Sequence, residues 1–159
     1  MPPTSYSEAA RLILSERWAA MATINDGAPL ASMVAYAAEP GLSGLILHLS
    51  QMAAHTRALL AVPDCSIAIS RPDTGEGDPQ LLARVAIEGI ALPLEEGTRS
   101  FESARDCYVA RFPHSAQRLH MGDFVFFRFE IQDARWVGGF GRAVRMNGLQ
   151  LKEAAASLV

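Results

Sequence analysis

The tripeptide Asn25-Asp26-Gly27 constrains the fold of this chain more than any other feature. It separates two runs of strand character, Trp18–Ile24 and Pro29–Ala37. Its residues tolerate the positive φ that a tight antiparallel turn demands. In the second run Ser32, Val34 and Tyr36 fall on one face, and Met33 and Ala35 on the other. Further strands are expected at Leu45–Leu49, Cys65–Ser70, Leu82–Leu92 and Phe124–Ile131, with Arg135–Val137 continuing in extended form. Turn residues in Glu39–Gly44 and Arg71–Pro79 punctuate them. Gly89 interrupts the long Leu82–Leu92 run and predicts a bulge or a close backbone approach there.

Helical periodicity is confined to the gaps. After a frayed lead, Met1–Thr4, the Ser5 and Glu8 pair has capping-box spacing and opens a short amphipathic helix to Glu16. Glu95–Phe112 carries Phe101, Ala104 and Tyr108 on one stripe, and Pro113 ends it. His114–Met121 and Leu149–Val159 are shorter helical candidates. Strands joined mostly by short turns, with helices inserted between them, predict a mainly β protein. The expected form is an antiparallel β-barrel with peripheral helices, not a doubly wound sheet. An apolar outer face on such a barrel needs a partner subunit to cover it.

At 159 residues, with half of them hydrophobic and 19% charged, the whole of 1–159 is expected to form one domain with a sizeable core. A net charge of −3 argues against a dedicated nucleic-acid binder. The two cysteines, Cys65 and Cys107, lie in apolar contexts without metal-ligand spacing and read as buried thiols. No secretory pattern opens the sequence and no apolar run approaches a membrane span, so a cytoplasmic protein is expected. His48, His114 and His120 show no metal-ligand spacing and read as structural or exposed. No Gly-x-Ser-x-Gly elbow supports a serine hydrolase. The Phe124–Phe129 run reads as core and dimer surface.

One stretch concentrates polar chemistry. Ser50-Gln51-Met52-Ala53-Ala54-His55-Thr56-Arg57 follows the Leu45–Leu49 strand and enters a short helix closed near Pro63. A helix start offers free N–H groups and a positive dipole end to a phosphate. Arg57 adds a planar donor fork, and Ser50 and Thr56 add hydroxyls. On this stretch alone the same residues better suit a capped surface helix with a solvated arginine, because helix starts attract such residues anyway.

Several segments, taken in order, resemble the pyridoxamine 5′-phosphate oxidase-like, FMN-binding split-barrel family. They are Ala22–Tyr36, then His55-Thr56-Arg57 with Leu60 and Pro63, then Ala83–Gly89. Tyr108–Pro113, Gly122-Asp123-Phe124 and Gly138–Ala143 resemble its haem-utilisation branch. The resemblance runs from about Ala9 to Ala143. It implies a six-stranded antiparallel split barrel and a homodimer with FMN at the interface. Ser32, Met33 and Val34 would line the flavin. Ser50, His55, Thr56 and Arg57 would hold the phosphate and ribityl chain, and Arg84 would approach from the long strand. Gly139, Phe140 and Arg142 would close over the ring, from the other subunit. On the residues alone, Arg84 suits an edge ion pair equally well, and Arg142 suits turn capping.

Two departures sharpen these expectations. Vitamin-converting members carry Arg and Lys in the second strand and an Arg-Lys pair in the phosphate segment. Here those places read Ser32–Ala37 and Ala54-His55-Thr56-Arg57, which argues against pyridoxamine phosphate oxidation. Haem-degrading members use a C-terminal histidine as iron ligand, and no histidine follows His120. The expectation is therefore an FMN-dependent oxidoreductase acting on a small molecule, with no catalytic residue assigned. The alternatives are a haem-binding or haem-degrading protein on the same fold, or a non-catalytic flavin-binding module.

Overall fold

Asp26 and Gly27 both adopt positive φ, at 49° and 78°, and Asn25 pairs with Ala28 across them. This two-residue turn twists with its strands and fixes the register of β1 (Trp18–Asn25) on β2 (Ala28–Ala35). The structure, a computed structural model, describes residues 2–159; Met1, part of the expected lead, lies outside them. The remaining strands are β3 (Ala37–Ala38), β4 (Leu45–Ser50), β5 (Asp64–Ser70), β6 (Arg84–Pro93), β7 (Phe124–Val137) and β8 (Ala143–Asn147). The helices are α1 (Thr4–Ser15), α2 (Ala54–Ala61), α3 (Arg99–Arg111) and α4 (Gly148–Ala156), with 3-10 turns between.

The sheet runs β2-β1-β5-β6-β7-β4-β3, antiparallel in every pairing, with β8 added beside β7. β2 and β3 are consecutive pieces of one pass through Tyr36, so the two ends of the sheet are covalently continuous. The sheet thereby closes into a split barrel of six passes. Eight strands appear where six were expected because the second pass is broken at Tyr36 and β8 is additional. At the break the Tyr36 N–H donates to the Arg17 carbonyl at 3.0 Å and its hydroxyl to the Ile13 carbonyl at 2.8 Å.

Alternate side chains fill the interior. Ala19 and Met21, Leu45 and Leu47, Ile67 and Ile69, and Val85 and Ile87 are all buried. On β7 the inward set changes parity, from Phe127, Phe129 and Ile131 to Ala134 and Trp136. The cause is a bulge: Glu88 faces Asp133 while Gly89 faces Ile131, leaving Gln132 as the extra residue. Only glycine fits at position 89, because a Cβ there would collide with the Glu130 carbonyl oxygen.

α1 packs on α4, and both lie against the barrel strands. The expected Ser5–Glu8 capping box is absent. The helix starts at Thr4 behind Pro3 with no side-chain cap, and Glu8 instead pairs with Arg142 at 2.8 Å. Asn147 and Gln150 form a reciprocal capping box on α4, and Thr98 caps α3. α3 covers the outer face of β4 and β7 through Phe101, Ala104 and Tyr108, which pack on Ile46 and Phe126. Phe126 is thus covered by the chain's own helix, not left for a partner.

Candidate functional site

The β4–α2 junction forms as the sequence predicts, but its polar groups turn on one another. Ser50 lies opposite Phe124, which brings Asp123 alongside it. The Ser50 hydroxyl donates to Asp123 Oδ2 at 2.9 Å and accepts from the Met52 N–H at 3.2 Å. α2 begins after Ala53, which offers no side-chain cap. The Thr56 hydroxyl is fully buried without a hydrogen-bond partner. Arg57 is exposed, and its Nη1 donates to the Met52 carbonyl at 2.8 Å. Burial lowers the pKa of His55, which favours its neutral ring.

A second feature lies on the outward face of the barrel. Register places Met33, Ala20, Ala68 and Ala86 in one row across β2, β1, β5 and β6. Ser70 and Arg84 pair at the end of the same face, beside Trp18. Trp18, Ala20, Met33, Ala68, Ser70 and Arg84, together with Glu16, line an open groove of about 430 Å³, with Trp18 59% and Met33 50% exposed. A neighbouring depression of about 340 Å³ extends the face past Ala22, Ile24 and Ser66 to the Gly89 bulge. Among the described residues Arg84 makes no ion pair; its Nη1 donates to the carbonyls of Gln80 and Leu82 at 2.9 and 3.2 Å.

The third feature is the β7–β8 tip. Gly139 and Gly141 take φ of 138° and 74° in a turn closed by the Gly138 N–H on the Arg142 carbonyl at 3.0 Å. Phe140 projects from it, 93% exposed.

Within one subunit these features stay apart. Phe124 and Val137 are the two ends of the 14-residue β7; the first lies beside Ser50 and the second beside Arg84 and Ala143. Ser50, His55, Thr56 and Arg57 therefore sit at one end, and Arg84, Gly139, Phe140 and Arg142 at the other. Along β2 the residues alternate. Val34 is in the core, Ser32 is half-buried on the same side, and Met33 alone of the three projects into the groove. The structure thus joins Met33 and Arg84 in one groove and adds Trp18, which the sequence reading took only as the first residue of a strand. The visible signal was parity: with Ala19 and Met21 inward, Trp18 must point out.

His48 is buried under α3, stacked on Phe126 with centroids 4.1 Å apart, and its Nδ1 has no partner. Burial, reinforced by Arg118, lowers its pKa to about 4. No histidine lines the groove. Among the described residues no group of three or more His, Cys, Asp or Glu side chains is placed to hold a metal. Nor is any helix among them long and apolar enough to cross a membrane.

A family model described as CREG, beta-barrel matches residues 2–150. The chain belongs to the CREG beta-barrel family. The "Non-canonical heme oxygenase HOZ, chloroplastic" of Arabidopsis thaliana is 35% identical to this CREG-type barrel over 129 residues. That match takes in 80% of the chain and 37% of the plant protein. The solved structure of a heme binding protein from Mycobacterium smegmatis superposes with a TM-score of 0.86 at 31% identity, over 96% of the chain and 62% of that protein. The chain thus spans less than two thirds of either relative. A Clostridium acetobutylicum protein of the pyridoxinephosphate oxidase family superposes with a TM-score of 0.65 at 13% identity, over 92% of the chain and 96% of that protein. At that identity it shows a shared split-barrel fold and nothing finer.

Proposed function

We propose that this CREG-type barrel is a haem-binding protein, and that two copies meet across the alanine-floored face with the ligand in the seam. The observation that carries this reading is the groove of Trp18, Met33 and Arg84. Haem is flat, largely apolar and edged by two carboxylates. The groove offers a floor without bulk at Ala20 and Ala68, apolar walls at Trp18 and Met33, and the Arg84 cation; Glu16 also lines it, its carboxylate paired with Arg71 at 3.0 Å. The likeness to a plant heme oxygenase and a mycobacterial heme binding protein supports the same ligand class. When bound, haem supplies its own redox chemistry, and the chain's residues supply position and exclusion of water.

FMN fits the chain less well. Its ring would suit the same floor, but at the β4–α2 junction the Ser50 hydroxyl is taken by Asp123, which sets a carboxylate against the phosphate. The homodimer rests on exposure. Trp18, Met33 and Ile24 form an apolar patch on a sheet face that none of the described residues covers. A twofold pairing would also let the Gly138–Arg142 tip of one copy approach the groove of the other.

Haemin titration tests the proposal. A stoichiometric Soret band should appear, and Ala68→Trp, which fills the floor, should abolish it. Arg84→Ala should weaken binding about fivefold, the scale of one exposed ion pair. Sedimentation should report a dimer. A preparation that shows no Soret band but binds FMN stoichiometrically would overturn the haem reading in favour of a flavoprotein.

A further inference from the structure

The β4–α2 junction contains the parts of an anion cradle and also a group that disables it. Asp123 is held there by two adjacent residues, Ser50 and Gln51. Its Oδ2 accepts from the Ser50 hydroxyl at 2.9 Å, and its carbonyl accepts from the Gln51 N–H at 2.6 Å. Arg57, the one charged side chain between Ser50 and Leu60, is folded onto the Met52 carbonyl at 2.8 Å. We infer that Asp123 is a specificity determinant, whose carboxylate takes the hydroxyl a phosphate monoester would use and repels the dianion from this junction.

The charge count agrees with the geometry. The Ser50 hydroxyl is bonded to a carboxylate and Arg57 is turned to the Met52 carbonyl, whereas a phosphate dianion needs positive charge and donors that are free. A ligand anchored by carboxylates at Arg84, at the far end of β7, does not meet Asp123, and the Glu16 carboxylate there is paired with Arg71. The inference concerns a different place from the groove and stands whether or not the groove holds haem.

The test compares FMN with riboflavin, which share the ring and differ in the phosphate. Affinities are read from fluorescence quenching for the wild-type chain, Asp123→Asn and Ser50→Ala. Asn keeps the side-chain shape and an acceptor for Ser50 but removes the charge. The wild type should not favour FMN over riboflavin. Asp123→Asn should gain a preference for FMN of about tenfold or more. Ser50→Ala, which keeps the carboxylate, should gain none. If Asp123→Asn does not fold by circular dichroism, Asp123→Ser carries the same comparison. A wild type that already prefers FMN by tenfold overturns the inference. So does a charge-free variant with no gain, including one that binds neither flavin. Haemin titration of the same preparations reports on the groove separately, so failure there is distinguishable from failure here.

Discussion

Glu39 follows β3 directly and is only 7% exposed. Its carboxylate takes two hydrogen bonds from Arg128 on β7, from Nε at 2.7 Å and Nη2 at 2.9 Å. This fork-to-carboxylate pair pins the short strand that completes the closure of the barrel. Glu39→Ala removes the partner and leaves the guanidinium in place. A fully buried orphaned charge costs about 3–5 kcal/mol. The Arg128 side chain keeps 23% of its surface in contact with water, so the cost is discounted to about 2–3 kcal/mol. For a chain of this size that lowers Tm by roughly 5–10 °C. Arg128→Met should cost more, because the carboxylate it strands is the better buried of the two. The double variant Glu39→Leu/Arg128→Met should recover most of the loss, since two apolar groups strand no charge. Urea unfolding with an unchanged m-value measures all three. A Glu39→Ala loss below about 0.5 kcal/mol would refute the argument. So would a double variant as unstable as the sum of the singles.

Three other outcomes follow from buried groups. His48 stays neutral in the fold down to about pH 4, whereas an unfolded histidine takes its proton near 6.5. The unfolded chain therefore binds more protons in that window, and stability falls as pH drops from 6.5 to 4, by about 3 kcal/mol in all. His48→Phe, stacked on the same Phe126 ring, should flatten that limb of a pH–stability curve; an unchanged limb would place the titration elsewhere. Gly89→Ala drives a methyl into the Glu130 carbonyl and should cost at least about 3 kcal/mol or prevent folding, read by soluble yield and thermal melts. Burial pushes the Cys65 thiol up to about 12 and raises Cys107 as well, so a thiol reagent at pH 8 should label both slowly until urea unfolds the chain.

The readable parts of the fold were those encoded locally. The Asn25–Gly27 turn, the alternation in β2, and Gly89 as a close approach each depend on a few adjacent residues. β8 is short: Val144 and Met146 alternate with exposed Ala143, Arg145 and Asn147, but two apolar residues after a glycine-rich turn are too few to mark a strand. β7 was read as two pieces because Gln132 and Asp133 interrupt its apolar run; the structure places them at the bulge, where polarity costs nothing. In the candidate site, positions were legible and partners were not. Ser50 and Arg57 are conspicuous from their neighbours in sequence, yet what neutralises Ser50 lies 73 residues away. Glu8 matched a capping box until Arg142, 134 residues on, claimed it. Such pairings are set by tertiary register, which no local window contains.

The composition of the outward face decides between explanations of the groove. A solvent-facing antiparallel strand ordinarily carries Thr, Lys or other long polar side chains, which suit the pleat and keep the edge soluble. Here Ala20, Ala22, Ala31, Ala68 and Ala86 take five of the outward positions, beside Ser66, Ser70, Arg84 and Glu88. Alanine is a poor strand former, so stability of the isolated barrel does not account for five of them on adjacent strands. Their common property is that they hold nothing more than a methyl above the sheet, over a surface wide enough for a flat partner to lie on the backbone. Both a second sheet and a planar ring need that clearance. The larger apolar groups, Trp18 and Met33, stand at the margin, where they would flank a ligand without blocking it. Replacing Ala20 or Ala68 by Thr, a better strand residue, should therefore raise or preserve the stability of the chain while weakening dimer and ligand together. Equal weakening of both would tie the two functions to one surface. Loss of the ligand with the dimer intact would separate them.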